Sequence, residues 1–189
     1  MKLASVNKMD GAITLSSQVG VGTSAVVVLR YSIPSPCRQI PLHTKLSSFI
    51  NHKIKAMIVE DIPFNAKINK EFLLKCNADV RYIAPNGAKA VEYYQNEILA
   101  GRRIDLICMD IEIPEMDGKR AAQLIRAFET SHKKKPCQII FTSGNCLGKE
   151  ISECLDHKGE IRGNYFLRKP VMFNQFSHVY SRVQASLFC

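Results

Sequence analysis

Residues 105–110 read Asp105-Leu106-Ile107-Cys108-Met109-Asp110, a continuous apolar run with a carboxylate at each end. A strand covered by helices on both faces has this uninterrupted apolar character, whereas a strand with one face in water alternates. Cys108 lies inside the run and is interpreted as a small core residue. The stretch therefore predicts an internal strand of a parallel sheet, with Asp110 at its carboxyl end.

The same pattern repeats on both sides of this strand, from Ile54 to the end of the chain. Short apolar runs predict five strands, at residues 56–59, 80–84, 105–109, 138–141 and 165–167. Apolar residues at helical spacing follow each strand. They are Phe64, Ile68 and Phe72; Val91, Tyr94 and Ile98; Ala121, Leu124, Ile125 and Phe128; Leu147, Ile151, Cys154 and Leu155; and Phe176, Val179, Tyr180, Val183 and Leu187. Five strands that alternate with five helices predict an α/β fold, with a five-stranded parallel sheet and helices on both faces.

The composition favours a soluble globular protein of one domain with a flanking segment. The chain has 189 residues, of which 46% are hydrophobic and 23% are charged. No apolar run approaches the roughly 20 residues that span a bilayer, and the N-terminus lacks the apolar core of a signal peptide. We therefore expect a cytoplasmic location and no membrane span in this chain.

The cysteine and charge patterns argue against other classes of protein. The seven cysteines form no CxxC pair and are odd in number, which disfavours a disulfide framework and a zinc site. The net charge of +9 is of the kind found in nucleic-acid-binding proteins. However, most of the basic excess is diffuse and lies in the segment 1–55, and the run Lys133-Lys134-Lys135 is typical of a solvated loop. We therefore expect no nucleic-acid partner.

Polar side chains follow four of the five predicted strands. Glu60 and Asp61 follow the first strand, Asp110 the third, Thr142 the fourth and Lys169 the fifth. Since ligands bind at the carboxyl ends of parallel strands, we expect these side chains to meet there. Carboxylates that converge repel one another unless a cation is present, and Mg²⁺ prefers such oxygens. A lysine and a hydroxyl beside them complete a pocket suited to a phosphoryl group.

Each of these residues also has a simpler interpretation when it is taken alone. Asp61 stands where it would cap the following helix, Thr142 alone is typical of a turn, and Lys169 alone is typical of a solvated surface. Asp117, in the sequence Met-Asp-Gly, is interpreted as the N-cap of the helix that runs through Phe128. The order of an acid pair, an acid, a hydroxyl and a lysine at the strand ends favours a shared site over coincidence.

In this order the residues resemble the response-regulator receiver domain, over residues 54–187 approximately. The resemblance is carried by Met57-Ile58-Val59-Glu60-Asp61, by Met109-Asp110-Ile111-Glu112-Ile113-Pro114-Glu115-Met116-Asp117-Gly118, by Ile139-Ile140-Phe141-Thr142-Ser143 and by Phe166-Leu167-Arg168-Lys169-Pro170. The second stretch is the most specific. The resemblance implies a flavodoxin-like receiver domain over residues 54–189.

The resemblance also implies a phosphoacceptor and a metal site. Asp110 would accept a phosphoryl group from a phosphohistidine. Mg²⁺ would be held by Glu60, Asp61, Asp110 and the backbone carbonyl of Glu112. The implied partner is a histidine phosphotransfer domain or a histidine kinase, so the implied function is phosphorelay signal transduction.

A switch is implied as well. Thr142 would bind the phosphoryl oxygen, and Lys169 would pair with it. Phe166 matches the aromatic residue that swings inward when the hydroxyl residue moves. Pro170 is expected to follow a cis peptide bond, as its counterpart does in the family.

The segment 1–34 resembles the last hairpin of a histidine-kinase ATPase domain, although a plain hairpin is the simpler interpretation. Residues 12–16 and 24–31 predict two strands, and the segment 18–23 with its glycines predicts the turn between them. The segment 35–53 contains two prolines, has no clean period and is interpreted as a linker. A hairpin, a linker and a receiver in this order resemble the C-terminal part of a hybrid histidine kinase.

The resemblance has departures. The phospho-accepting histidine box, the Mg²⁺-binding Asn motif and the DxGxG loop of a histidine kinase do not occur in this sequence, so whether the chain acts as an enzyme is left open. Ile62 stands where hybrid-kinase receivers often carry Asn, while Asn65 keeps the later Asn of that pattern. The segment 156–164 is longer than usual before the last strand.

Two other classes of protein also place chemistry at the ends of parallel strands, and the sequence fits each of them less well. A haloacid-dehalogenase-like phosphatase also forms an aspartyl phosphate, but that family carries its DxD motif after the first strand, where this chain has Glu60-Asp61. A nucleotide-binding domain needs glycines after the first strand to admit a pyrophosphate, and Glu60-Asp61-Ile62-Pro63 supplies carboxylates instead.

Overall fold

The computed structural model describes residues 12–18, 22–28, 53–145 and 148–188. The chain divides into two units, residues 1–46 and residues 47–189, and each is considered on its own. Several predicted features lie outside the described residues. They are the linker up to residue 52, the turn residues Gly20 and Val21, the end of the second hairpin strand at residues 29–31, and Leu147 of the fourth helix.

The first unit contains the predicted pair of strands. They are β1 (Ala12–Gln18) and β2 (Gly22–Val28), which pair in antiparallel fashion from Ala12 opposite Val28 to Gln18 opposite Gly22. β1 extends to Gln18, past its predicted end, and β2 begins at Gly22, ahead of its predicted start. A two-stranded ribbon of this kind is marginally stable by itself in water.

Five parallel strands and five helices alternate in the second unit, as predicted. The strands are β3 (Lys55–Val59), β4 (Asp79–Ala84), β5 (Leu106–Asp110), β6 (Gln138–Ser143) and β7 (Tyr165–Arg168). The helices are α1 (Pro63–Lys75), α2 (Gly87–Leu99), α3 (Gly118–Ser131), α4 (Gly148–Leu155) and α5 (Phe173–Phe188). The predicted strand bounds agree closely with these.

The order of the strands places the carboxyl ends of β3 and β5 side by side. The sheet runs β4-β3-β5-β6-β7, and every neighbouring pair is parallel. After β3 the chain first crosses to β4 on one side and later returns to β5 on the other side. The point where the chain changes direction is where parallel α/β sheets bind their ligands.

Both faces of the sheet are buried, which explains the continuous apolar runs. On β5, Ile107 and Met109 pack in the cluster that includes Tyr94 of α2 and Ile125 of α3. Cys108 of the same strand packs in a second cluster with residues of α1 and α5 and is 3% exposed. The interpretation of Cys108 as a core residue is therefore confirmed.

Helix α1 does not follow its predicted apolar face completely. It buries Ala66, Asn69 and Leu73, whereas Phe64 is 71% exposed. Phe64 lies on the side of α1 that is turned away from these buried residues, because positions 64 and 66 are about 200° apart around the helix. Its exposure follows from the face on which it lies, since Ala66 in the same turn is 4% exposed.

A buried ion pair joins three parts of the second unit. The Arg126 guanidinium donates to Glu129 at 2.7 Å, and both residues lie on α3 and are at most 2% exposed. Glu129 also accepts from the hydroxyl of Tyr94 at 2.6 Å and from the backbone of Cys137 at 2.7 Å. Arg126 donates further to the carbonyl of Arg162, at 3.1 Å from Nη2. This network attaches α2 and the segment before β7 to α3.

None of the helices formed by the described residues combines the length and the apolar character needed to cross a bilayer.

Replacing Arg126 should be strongly destabilising. Arg126→Leu leaves the Glu129 carboxylate buried without its cation, which typically costs about 3–5 kcal/mol. Urea unfolding followed by circular dichroism measures the change. Arg120→Leu on the exposed side of α3 is the control and should change stability by no more than about 0.5 kcal/mol. Equal stabilities of the two variants would contradict a structural role for the ion pair.

Candidate functional site

The three predicted carboxylates meet at the carboxyl edge of the sheet. Glu60 and Asp61 follow β3, and Asp110 is the last residue of β5. One carboxylate oxygen from each residue lies within 4.8 Å of the other two. Glu60 and Asp110 are buried, at 2% and 3% exposure, while Asp61 is exposed. The expectation that these acids converge is therefore confirmed.

Lys169 bridges two of the three acids. Its Nζ donates to Asp110 Oδ2 at 2.5 Å and to Glu60 Oε2 at 3.1 Å. Its backbone N–H donates to the carbonyl of Ser143 at 2.9 Å, which attaches this residue to the end of β6. The bond from Lys169 to Pro170 is cis, as expected. The lysine thus lies inside the acid cluster and not on the solvated surface.

The pKa values of Asp110 and Lys169 reflect both their burial and their contacts with neighbouring charged groups. Burial raises the pKa of the Asp110 carboxyl, and the nearby charge of Glu60 acts in the same direction. The contacts with Lys169 and with the N–H of Glu112 oppose this rise without cancelling it. Burial alone would lower the pKa of Lys169, but its hydrogen bonds to Asp110 and Glu60 and the attraction of their charges outweigh burial, so that pKa is raised. The site therefore holds a protonated lysine and still favours additional positive charge.

The other predicted site residues lie on the neighbouring strands. Thr142 is 4% exposed and pairs with Asp110 across β5 and β6. Phe166 is half-buried on β7 and pairs with Phe141 of β6. The backbone N–H of Glu112 donates to Asp110 Oδ1 at 3.3 Å. Every predicted site residue is therefore on β3, β5, β6 or β7 or directly beyond its carboxyl end.

The loop after Asp110 is fixed by close backbone contacts. A Cβ atom at Gly118 would lie 2.2 Å from the carbonyl oxygen of Asp110, so only glycine fits there. The amide of Asn86 donates to Glu115 at 2.7 Å, and the N–H of Gly87 donates to the carbonyl of Met116 at 3.1 Å. The turn before α2 thus supports the loop that carries Glu112.

The two aspartates interpreted as possible helix caps differ. Asp117 caps α3, because its side chain accepts from the N–H of Arg120 at 2.7 Å. The N-cap of α1 is Ile62, which makes no side-chain cap. Asp61 therefore does not cap α1, and this leaves the acid cluster as the explanation for its position.

Sequence reasoning did not assign a contact to Asn65. Its side-chain amide donates to Glu60 Oε1 at 3.0 Å. The signal available was the short spacing between a strand-end carboxylate and a polar residue in the first helical turn. That spacing does not by itself show which way the side chain points.

The acid cluster has the chemistry of a magnesium site. Mg²⁺ binds a few carboxylate oxygens and retains waters and phosphate oxygens in the rest of its octahedron. Here two buried acids and one exposed acid carry three negative charges against the single charge of Lys169. The donor set is entirely oxygen, and the exposure of Asp61 gives the cluster a side open to water.

Comparison with known proteins identifies relatives of the chain. The family model described as "Response regulator receiver domain" matches residues 56–180. Hybrid signal transduction histidine kinase K of Dictyostelium discoideum is 33% identical over 126 residues, which cover 65% of this chain and 10% of that protein. The autoinducer 2 sensor kinase/phosphatase LuxQ of Vibrio parahaemolyticus is 30% identical over 173 residues, covering 89% of this chain and 18% of that protein. The chain thus spans less than a fifth of the length of these relatives.

A solved structure that contains a receiver domain is also similar to this chain. The co-crystal structure of the Saccharomyces cerevisiae histidine phosphotransfer signaling protein Ypd1 with the receiver domain of its downstream response regulator Ssk1 is similar to this chain. The TM-score is 0.61 and the identity 27%, with 72% of this chain and 92% of that chain covered. These comparisons do not support the haloacid-dehalogenase alternative.

Replacement of Asp61, the exposed acid of the cluster, should weaken Mg²⁺ binding without lowering the stability of the metal-free protein. Asp61→Ala should weaken Mg²⁺ binding strongly because an ionised oxygen ligand is lost. Its melting temperature without metal should not fall, because one source of repulsion is removed. At a Mg²⁺ concentration of about 100 times the dissociation constant, the parent gains about 2.7 kcal/mol, and the variant should lose this gain.

Thermal unfolding with and without MgCl₂ measures both effects. Glu71→Ala, which removes an exposed carboxylate from α1, is the matched control and should keep the Mg²⁺ response. A variant Asp61→Ala that is stabilised by Mg²⁺ as much as the parent would contradict the metal site.

Proposed function

The chain belongs to the response regulator receiver domain family, and we propose that its second unit accepts a phosphoryl group from a phosphohistidine onto Asp110. The observation that carries the proposal is the contact of Lys169 with Asp110 at 2.5 Å, beside Glu60 and Asp61. Phosphoryl transfer requires positioning and charge neutralisation more than covalent chemistry from the protein. This site supplies both at one buried carboxylate.

The transfer is a single displacement at phosphorus. A carboxylate oxygen of Asp110 attacks the phosphorus atom, the P–N bond of the phosphohistidine breaks, and its electron pair remains on the imidazole nitrogen. Lys169 offsets the charge of Asp110 and of the incoming group. Asp61, Asp110, Glu60 and the backbone carbonyl of Glu112 would hold Mg²⁺, which supplies further charge neutralisation when bound.

Thr142 and Phe166 are proposed to report the phosphorylated state. Thr142 is buried on the strand next to Asp110, which supports the proposal that its hydroxyl binds an oxygen of the new phosphoryl group. Phe166 is half-buried on the next strand and can exchange exposure for burial. A local change in hydrogen bonding would thereby alter the surface around β7.

An apolar rim beside the acids is proposed to receive the phosphohistidine donor. It consists of Ile62 and Phe64 after β3 and of Met172 after β7, which are 49%, 71% and 58% exposed, respectively. These residues follow strands whose carboxyl ends carry site residues. Exposed apolar groups around a reactive centre are typical of a protein contact. The receiver of 27% identity that was crystallised with Ypd1 supports a histidine phosphotransfer protein as the partner.

We further propose that the chain corresponds to a part of a hybrid histidine kinase in the cytoplasm. The antiparallel strands β1 and β2 are consistent with a terminal hairpin of the ATPase domain. The similarity to LuxQ covers 89% of the chain. Coverage of that extent exceeds the receiver unit alone and reaches into the segment that precedes β3. The likeness of that segment to a sensor kinase supports the proposal.

The acceptor assignment is tested by one substitution. Asp110→Asn should keep the fold because the side chain has nearly the same shape, and it should abolish incorporation of phosphate from acetyl phosphate with Mg²⁺. Intact-protein mass spectrometry before and after hydroxylamine detects the labile acyl phosphate. Asp117→Asn is the control, since Asn also caps a helix, and it should be labelled as the parent is. Equal labelling of Asp110→Asn and the parent would refute the assignment.

The docking rim is tested by comparing two phosphoryl donors. Phe64→Ala should slow transfer from a phosphorylated histidine phosphotransfer protein by about tenfold or more, the usual effect of truncating an aromatic contact residue. Labelling by acetyl phosphate should be unchanged, because a small donor does not use the rim. Leu99→Ala, at a residue that is 67% exposed at the end of α2, is the control. A slowing with both donors would place the effect in the acceptor site and not in the rim.

The two units should be separable. A fragment of residues 52–189 should fold cooperatively and accept phosphate as the full chain does, because the strands, helices and site residues of the receiver all lie within it. The full chain should bind no ATP, since β1 and β2 carry no carboxylate and no asparagine to hold the metal of a nucleotide. Urea unfolding and calorimetric titration with ATP measure these properties. Unfolding of the fragment, or ATP binding by the full chain, would overturn the separation of the units.

A further inference from the structure

The Glu60 carboxylate is held at both of its oxygens. Its side chain has 0% exposure. Oε1 accepts a hydrogen bond from Asn65 Nδ2 at 3.0 Å, and Oε2 accepts one from Lys169 Nζ at 3.1 Å. Lys169 in turn donates to Asp110 at 2.5 Å. Asn65 is therefore the first member of a chain of contacts that ends at the proposed phosphoacceptor.

The position of Asn65 in α1 explains why its amide points toward the strand end. The helix begins at Pro63, directly beyond the acid pair, and its N-cap Ile62 makes no side-chain cap. Asn65 is the third helical residue. Because Cα–Cβ bonds in an α-helix tilt toward the N-terminus, a side chain in this turn extends back toward the residues that precede the helix. A donor at this position meets Glu60.

The Glu60 carboxylate requires a hydrogen-bond donor that fixes its position, because the glutamate side chain is long. Its carboxylate has one more rotatable bond than that of an aspartate and loses more rotamer freedom when it is fixed. A neutral amide donor orients the carboxylate and leaves its negative charge intact, whereas a second lysine would neutralise that charge. The charge must remain, because Glu60 shares Lys169 with Asp110.

We propose that Asn65 is a positioning residue for the acid cluster. It fixes Glu60 so that Oε2 holds Lys169 between Glu60 and Asp110. The exposed side of the cluster, at Asp61, then stays open to a divalent cation. Asn65 acts through Glu60 and does not contact the phosphoryl group. This inference rests on the proposed receiver function and concerns the organisation of the same site.

The first test is the affinity of the full, unphosphorylated chain for Mg²⁺, measured by isothermal titration calorimetry. Asn65→Leu should weaken binding by about 10–100-fold, the usual effect of losing a group that orients a metal-site residue. Asn69→Leu is the matched control. Asn69 lies one turn further along α1 and lines the same cavity, and no hydrogen bond joins it to Glu60 in the described part of the chain. Its Mg²⁺ affinity should stay within about twofold of the parent.

A double-substitution cycle identifies Glu60 as the intermediary. In the Glu60→Gln background, Asn65→Leu should change Mg²⁺ affinity by less than about twofold, because the charged group that Asn65 orients is gone. A loss as large as in the parent would show that Asn65 acts by another route. This outcome, or equal affinities of Asn65→Leu and Asn69→Leu, overturns the inference.

Failure of this inference can be told apart from failure of the proposed function. If the parent chain is not labelled at Asp110 by acetyl phosphate, the receiver function is refuted. If the parent is labelled and binds Mg²⁺ but Asn65→Leu binds it equally well, only the role of Asn65 is refuted. A parent chain that binds no Mg²⁺ refutes the role of Asn65 as well.

Discussion

The repulsion among three carboxylates at one edge of a sheet is the constraint around which the second unit is organised. Glu60 and Asp110 are buried, so water does not screen them, and among the described residues a single lysine pairs with them. Burial of Asp110 has a cost that appears as the raised pKa of its carboxyl. A site that carries this cost before any ligand binds favours cations, and this preference underlies the magnesium and phosphoryl binding proposed for it.

The fold can support this arrangement because the contacts that stabilise the second unit lie away from the acid cluster. Both faces of the sheet are covered by apolar clusters, and the Arg126–Glu129 pair joins α3 to its neighbours. These contacts lie on the faces of the sheet and between helices, while the acids occupy its carboxyl edge. A stable scaffold can therefore support an edge that is electrostatically unfavourable, which is a common arrangement at functional sites.

The sequence was sufficient to predict the strands and helices, the parallel sheet and the convergence of the three acids at its edge. It was less informative about contacts between side chains of different loops. Strand runs and strand-end residues obey simple periodicities, so Asp110 and Lys169 could be assigned from position alone. The exposure of Phe64 could not, because helical spacing shows which residues share a face and not which face packs on the sheet; the face that α1 buries carries Ala66, Asn69 and Leu73. The bond from Asn65 to Glu60 and the contact of Asn86 with Glu115 depend on side-chain directions that no local pattern encodes.

In the proposed function, a signal from Asp110 would leave the site through the strands beside β5. β5 has neighbours on both sides, β3 and β6, so the acceptor strand is held in place. β7 lies at the edge of the sheet and has a strand neighbour on one side only. Thr142 pairs with Asp110 on one side and with Leu167, the residue after Phe166, on the other. In the proposed switch, a movement of Thr142 toward a phosphoryl oxygen on Asp110 would carry it away from β7, and the packing of the half-buried Phe166 on that edge strand would then change.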